Sequence, residues 1–303
     1  MQFSRRDFVK RLGVGVVGGF LFSSANVIKA SAATSDGTEA ASAKAMLYDS
    51  SKCVGCRACQ NACRRWNELP PESIGYGGIY DNPSDLSAKT WTIIKAKEYD
   101  NNGSQDLIFC KYQCMHCTEA ACVDVCPSGA LQHHPLGFVS YDEEKCIGCG
   151  YCMEHCPFHV PHLSGNMVTG VQKMHKCTFC QDRVPEGQQT ACAEACPAGA
   201  LIFGDREELI TEGERRVDEI QSDYPQAKLY GKEELGGLHA LYILKDTPEV
   251  YRLPEDPQIP VTAMINKDIL GPIARIVWPL VAAAFALNFV VAWFRQRKHG
   301  EVH

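Results

Sequence analysis

No long basic run occurs in this 303-residue chain, whose formal net charge is −6. A surface that neutralises nucleic-acid phosphates needs clustered Lys and Arg, so no nucleic-acid partner is expected. The chain also lacks a Ser/His/Asp set, a glycine-rich nucleotide loop and paired carboxylates at an acid/base spacing. Without them, no catalytic residue is expected, and nothing points to bond-breaking chemistry. Cysteine is missing from both ends and crowded between about residues 44 and 204, where all 17 lie. Disulfide scaffolds this rich in cysteine are usually under about 100 residues, rarely use repeated CxxC runs, and leave no thiol over. Metal ligation fits better.

Four motifs hold sixteen of the cysteines. The first, KCVGCRACQNAC, carries Cys53, Cys56, Cys59 and Cys63; the third, KCIGCGYCMEHC, carries Cys146, Cys149, Cys152 and Cys156. The second, CMHCTEAACVDVCPSGAL, carries Cys114, Cys117, Cys122 and Cys126. The fourth, CTFCQDRVPEGQQTACAEACPAGAL, carries Cys177, Cys180, Cys192 and Cys196. First and third match at nearly every fixed position, whereas second and fourth share a CxxC start and an ACxxxCPxGAL ending, differing by seven inserted residues. The chain therefore reads as a duplicated pair, each half with one motif of each type.

CxxCxxCxxxC is a ferredoxin spacing, in which three close thiolates wrap one [4Fe–4S] cube and the fourth cysteine reaches its neighbour. A zinc ribbon is the competitor, since it also uses CxxC pairs. It needs neither the third CxxC-spaced cysteine nor the prolines that follow at 127, 157 and 197. Sixteen ligands make four cubes. Of the rivals Cys110 and Cys114, Cys114 opens a CxxC and aligns with Cys177, so Cys110 is expected to be a buried non-ligand. His116, His155 and His175 lie beside ligand cysteines and are expected to pack or hydrogen-bond behind them. Lys52, Lys145 and Lys176 each precede a cysteine, and two readings stand: softening of cluster charge, or solvated surface charge.

The ends carry addresses. Residues 1–32 join Arg5, Arg6, Lys10 and Arg11 to a glycine-broken apolar run and then KASA, as in a twin-arginine export signal with cleavage after Ala32. Short strand-like patches (TWTIIKAK, GFVSY, GALIF) mark the cysteine region, 33–205, which has little long helix. An extension over 206–270 follows. It has a surface helix with Leu209, Val217 and Ile220 on one face, stopped by Pro225, then a buried strand in GGLHALYIL and a linker at Pro254, Pro257 and Pro260. Within 271–295, Ile276 to Phe294 holds nineteen residues without a formal charge. As a helix it spans about 28 Å, enough for a bilayer's hydrocarbon core. Pro279 is expected to bend its first turns and Asn288 to face a partner helix. The basic tail 296–303, continuing RQRKH, belongs on the cytoplasmic side, which puts the cysteine region outside, in the periplasm at the inner membrane.

Over about residues 44–294, the motifs resemble the iron–sulfur subunit shared by membrane-bound molybdenum or tungsten oxidoreductases and some nickel–iron hydrogenases. CRRWNELP, NPSDLSAKTW and QCMHC resemble formate dehydrogenase beta subunits. GGLHALYIL, the prolines and the terminal apolar helix are similar to the membrane-bound type. A twin-arginine leader on this subunit is also found in the quinone-linked hydrogenase version, which is the alternative. The resemblance implies an α+β fold with two ferredoxin-like domains in nested duplication, plus the extension and a single transmembrane helix. It also implies an electron-transfer role between a catalytic molybdopterin subunit and a membrane cytochrome b that serves the quinone pool. Nested pairing is implied too: Cys53, Cys56, Cys59 and Cys196; Cys63, Cys177, Cys180 and Cys192; Cys114, Cys117, Cys122 and Cys156; Cys126, Cys146, Cys149 and Cys152. The internal repeat alone fits sequential pairing as well. Some relatives hold a three-iron cluster where tryptophan replaces a ligand; every such position here is cysteine.

Overall fold

The computed structural model describes residues 42–72, 83–101, 104–166, 171–265 and 271–299. The expected export signal lies outside them. β1 (Lys44–Asp49) runs into the first cysteine loop, which closes on α1 (Ala58–Trp66). The antiparallel pair β2 (Ile93–Asn101) and β3 (Ser104–Tyr112) delivers the second motif and its single turn α2 (Ala121–Asp124). β4 (Leu131–His133) and β5 (Val139–Tyr141) pair ahead of the third motif and its turn α3 (Tyr151–Glu154). A further antiparallel pair, β6 (His162–Asn166) and β7 (Val171–His175), delivers the fourth motif with α4 (Ala191–Glu194). β8 (Leu201–Asp205), α5 (Arg206–Ile220), β9 (Lys228–Tyr230), β10 (Ala240–Leu244), α6 (Val261–Ile265) and α7 (Gly271–His299) complete the order.

One four-stranded sheet, β8-β1-β10-β9, ties the ends of this region together. β1 pairs with β10 in parallel, Met46 opposite Ala240 and Tyr48 opposite Tyr242, and with β8 antiparallel. Successive strand residues point to opposite faces, so the sheet has two separate interiors. Ala45, Leu47, Leu241 and Ile243 face α5, meeting Leu209, Ile210 and Ile220. Each Leu or Ile buried there is worth about 1.5–3 kcal/mol. Met46, Tyr48, Ala240, Tyr242 and Leu244 face the other way, into the core that contains Cys59, Cys110 and Cys192. The helix is pinned to the end of β1 by Arg216, whose Nε donates to Asp49 Oδ2 at 3.0 Å.

Two sequence expectations need adjusting. α5 closes at Ile220, short of Pro225, with Tyr224 N–H returning to Ile220 O at 2.9 Å. A residue before proline avoids the helical region, so the chain turns early. The proline-rich stretch is packed rather than a free linker: Leu253 and Pro257 are buried, and Tyr230 Oη donates to Pro254 O at 2.8 Å. Ala263 of α6 then sits against Ala121 and Val125.

α7 is long and apolar enough to cross a membrane, and among the described residues it is the one helix that is. Its stretch Ile276–Trp293 has mean hydropathy 2.0 and is wholly exposed. It runs continuously through Pro279, and Asn288 Nδ2 donates to Ala284 O at 3.0 Å on its own helix.

Candidate metal centres

The first and third motifs make the same loop. Gly55 and Arg57 have φ of 68° and 60°, and their counterparts Gly148 and Gly150 have 70° and 82°. These left-handed turns fold the chain back so that successive cysteines point inward, a conformation glycine adopts without strain. Space is also short: a Cβ on Gly55 would strike the Phe109 ring, and one on Gly148 the Gln172 carbonyl. The N–H groups of Gly55 and Gly148 lie on the sulfurs of Cys53 and Cys146, and the hydroxyls of Tyr48 and Tyr141 lie against the same two. In the second and fourth motifs His116 and Phe179 share the equivalent left-handed position, at φ 49° and 62°.

The thiols fall into four groups. Cys53, Cys56, Cys59 and Cys196 line one cavity. Cys63, Cys177, Cys180 and Cys192 line a second. Cys126, Cys146, Cys149 and Cys152 line a third. Cys117 has Cys114, Cys156 and Cys122 as its charged neighbours. Neighbouring groups share buried clusters: Cys59 with Cys192, Cys177 with Cys114, and Cys152 with Cys122. Those shared clusters order the groups in a row. At its two ends Cys56 and Cys149 are exposed, beside Val54 and Ile147, each 61 % exposed. Cys110 stands apart on β3, buried in the core.

Burial pushes most of these thiols up: Cys59, Cys152 and Cys180 to about 12, Cys156 and Cys177 to about 11. Cys63 and Cys117 are likewise raised well above the ordinary thiol value by burial. Cys146 goes the other way: its burial is outweighed by the nearby Tyr141 hydroxyl and the N–H groups of Gly148 and Met174. Thiols so raised lose their protons only to a strongly cationic body, as metal ligation supplies.

The flanking residues divide. Lys52 and Lys145 are exposed surface charges paired with Asp49 and Asp142 at 3.8 and 2.7 Å. Lys176 is buried, its Nζ donating to Val139 O and Cys177 O at 3.0 Å each. His116 is fully buried and neutral in geometry, its Nδ1 accepting Val139 N–H at 3.1 Å. His155 bonds Tyr151 O at 2.9 Å, and His175 lies by the Trp91 ring. Sequence reading missed Lys111, which no motif contains. It is 1 % exposed on β3, and its Nζ donates to Thr92 Oγ1 at 2.7 Å and to Gln113 Oε1. Burial pulls its ammonium toward neutrality, but Cys192, Cys59, Cys177 and Cys63 hold it above the usual lysine value.

These residues fit iron–sulfur cubes. Every donor is a thiol, backbone N–H groups are aimed at the sulfurs, and the buried cations answer a negative cluster. Among the described residues, no three Cys, His, Asp or Glu side chains come close enough to share one metal ion. A tetrahedral zinc with bonds near 2.3 Å would draw its sulfurs to within about 4 Å of each other. The thiols are spread for a larger body.

Comparison with known proteins agrees. Residues 105–206 match the family model described as a 4Fe-4S dicluster domain. The nitrate-inducible formate dehydrogenase iron–sulfur subunit of Escherichia coli K12 is 41 % identical over 250 residues, covering 81 % of each chain. The chain belongs to the formate dehydrogenase iron–sulfur subunit family. The formate dehydrogenase iron–sulfur subunit of Haemophilus influenzae is 40 % identical over 252 residues, covering 81 % of this chain and 80 % of its own. The hydrogenase-2 operon protein HybA of E. coli O157:H7 is 34 % identical over 273 residues, covering 79 % and 80 %. The chain is an electron-transfer subunit carrying 4Fe-4S clusters, not a catalytic one, and these relatives are named as subunits of formate dehydrogenase.

Proposed function

We propose that four [4Fe–4S] clusters occupy the four thiol groups, and that they carry electrons from a catalytic formate dehydrogenase subunit to a membrane cytochrome b and the quinone pool. The clusters supply one-electron transfer, with potentials set by charge, hydrogen bonds and exposure. The observation that carries this reading is that neighbouring groups share buried clusters in a row, through Cys59 and Cys192, Cys177 and Cys114, and Cys152 and Cys122. The exposed ends at Cys56 and Cys149, each capped by an aliphatic side chain, suit an entry and an exit port.

The ligand sets follow the groups: Cys53, Cys56, Cys59 and Cys196; Cys63, Cys177, Cys180 and Cys192; Cys114, Cys117, Cys122 and Cys156; Cys126, Cys146, Cys149 and Cys152. The first two make one ferredoxin-like domain and the last two another, the second nested in the sequence of the first. Cys110 binds no iron. The partner holds molybdenum or tungsten in a molybdopterin. α7 anchors the chain with its basic tail in the cytoplasm and the clusters on the periplasmic side, reached by twin-arginine export of the folded, loaded protein.

The test is the complex purified in detergent, assayed for iron, molybdenum, tungsten and nickel, and for dye reduction by formate and by hydrogen. About 16 irons per chain, from four cubes, with formate-dependent reduction supports the proposal. Nickel with hydrogen-dependent reduction assigns the chain to a hydrogenase instead, the reading that its likeness to HybA favours. A cytoplasmic reporter fused after His303 is expected to be active, and silence there contradicts the topology.

A further inference from the structure

Lys111 buries a cation with no anion of its own. Its two hydrogen-bond partners, Thr92 Oγ1 and Gln113 Oε1, are neutral, and no carboxylate pairs with it among the described residues. A fold rarely keeps an unpaired ammonium out of water unless negative charge is brought to it. Lys111 lines the first cavity beside Cys59, and its partners Thr92 and Gln113 line the second, beside Cys63, Cys177 and Cys192, the same thiols that hold its ammonium charged. Two neighbouring sites thus share one ammonium.

We infer that Lys111 is a shared counter-charge that raises the reduction potentials of the two clusters it lies between. This rests on the four-cluster reading above. An oxidised cube with four thiolates carries about two negative charges, and about three after accepting one electron. A fixed positive charge in a low-dielectric core attracts the reduced state more than the oxidised one, at both sites.

The repeat sharpens the point. Gln113, just before the second motif's CxxC, stands where the fourth motif has Lys176. Lys176 is likewise buried, at 1 % exposure, and its charge lies near Cys122 of the third group. One half places its cation directly at that position. The other holds a glutamine there, and the glutamine carries the ammonium of Lys111. Lys176 also bonds the Cys177 carbonyl, so it serves as an internal control for the first site, which it does not reach.

The experiment is a redox titration of the purified complex, followed by electron paramagnetic resonance, with Lys111→Met, Lys111→Arg, Gln113→Glu and Lys176→Met. Lys111→Met is expected to lower two of the four potentials by at least tenfold in the one-electron equilibrium, about 59 mV. Lys111→Arg, which keeps the charge, restores them. Gln113→Glu neutralises the ammonium without removing it and lowers the same two. It decides the matter alone if Lys111→Met fails to load iron. Lys176→Met moves the third cluster and leaves the first unchanged. Unchanged potentials in a fully loaded Lys111→Met or Gln113→Glu complex overturn the inference. The iron content of the unaltered chain separately tests the four-cluster reading.

Discussion

Gly148 stands where any side chain would run into the carbonyl of Gln172, and its φ of 70° lies in the left-handed region. The loop of the third motif is thus closed from both sides, by its own backbone and by β7. Gly148→Ala adds the left-handed penalty of about 1–2 kcal/mol to a clash with backbone that cannot yield. Iron is expected to fall by about one cube, from about 16 to about 12 atoms per chain. Gly187→Ala is the comparison, since Gly187 has a φ of 76° but open space around it. It is expected to lower the melting temperature slightly and leave iron intact.

Cys110→Ala tests the seventeenth thiol. Its sulfur lies in the core on β3, and burial pushes its pKa to about 12, as for an inert apolar filler. Iron is expected to stay at about 16 atoms per chain, whereas Cys192→Ala loses about four. Loss of a cube from Cys110→Ala would contradict the assignment.

Tyr48→Phe removes the hydroxyl that donates to Phe109 O at 2.8 Å and joins β1 to β3 beneath the first site. The ring keeps its edge contact with Tyr242, at 5.6 Å between centroids. A loss of about 0.5–1.5 kcal/mol is expected, the usual worth of one buried hydrogen bond, measured by thermal unfolding. No change in melting temperature would mean that the bond contributes nothing.

His239 sets an acid limit. Burial lowers its pKa below the ordinary histidine value, and its Nδ1 contacts Lys44 O at 2.7 Å. The folded state therefore holds the ring neutral while the unfolded chain protonates it at about pH 6.5. Its contribution is fully present above about pH 6.5 and is lost as the pH falls from there through the depressed folded value. His239→Gln is expected to flatten the loss of thermal stability between about pH 6.5 and 5.5. An identical slope in the variant would exclude His239 as the cause.

The cysteine loops were legible in the sequence because a cube's ligands are local: three thiols within seven residues need only left-handed turns, which Gly55, Gly148 and Gly150 announce. Partner sets were not legible from spacing, since bringing Cys196 to Cys53, Cys56 and Cys59 depends on β1 and β8 lying side by side. The face of α5 was readable from the period of Leu209, Val217 and Ile220, but its early end was set by a turn. Lys111 was hidden because a lysine on a strand ordinarily reads as solvated; only Thr92, just before β2, and the thiols near it show otherwise. The prolines read as a spacer because composition does not reveal that Tyr230 and Ala263 hold them down.

The parallel pairing of β1 with β10 joins segments almost two hundred residues apart in the chain, and it bears on the order of synthesis. On the proposed pairing, Cys114 to Cys156 are complete in themselves once the third motif has been made. Cys53, Cys56, Cys59 and Cys63 must wait for Cys177 to Cys196, and their sheet waits longer still, for Ala240–Leu244. On that pairing the outer half closes last, and only in a chain long enough to include β10.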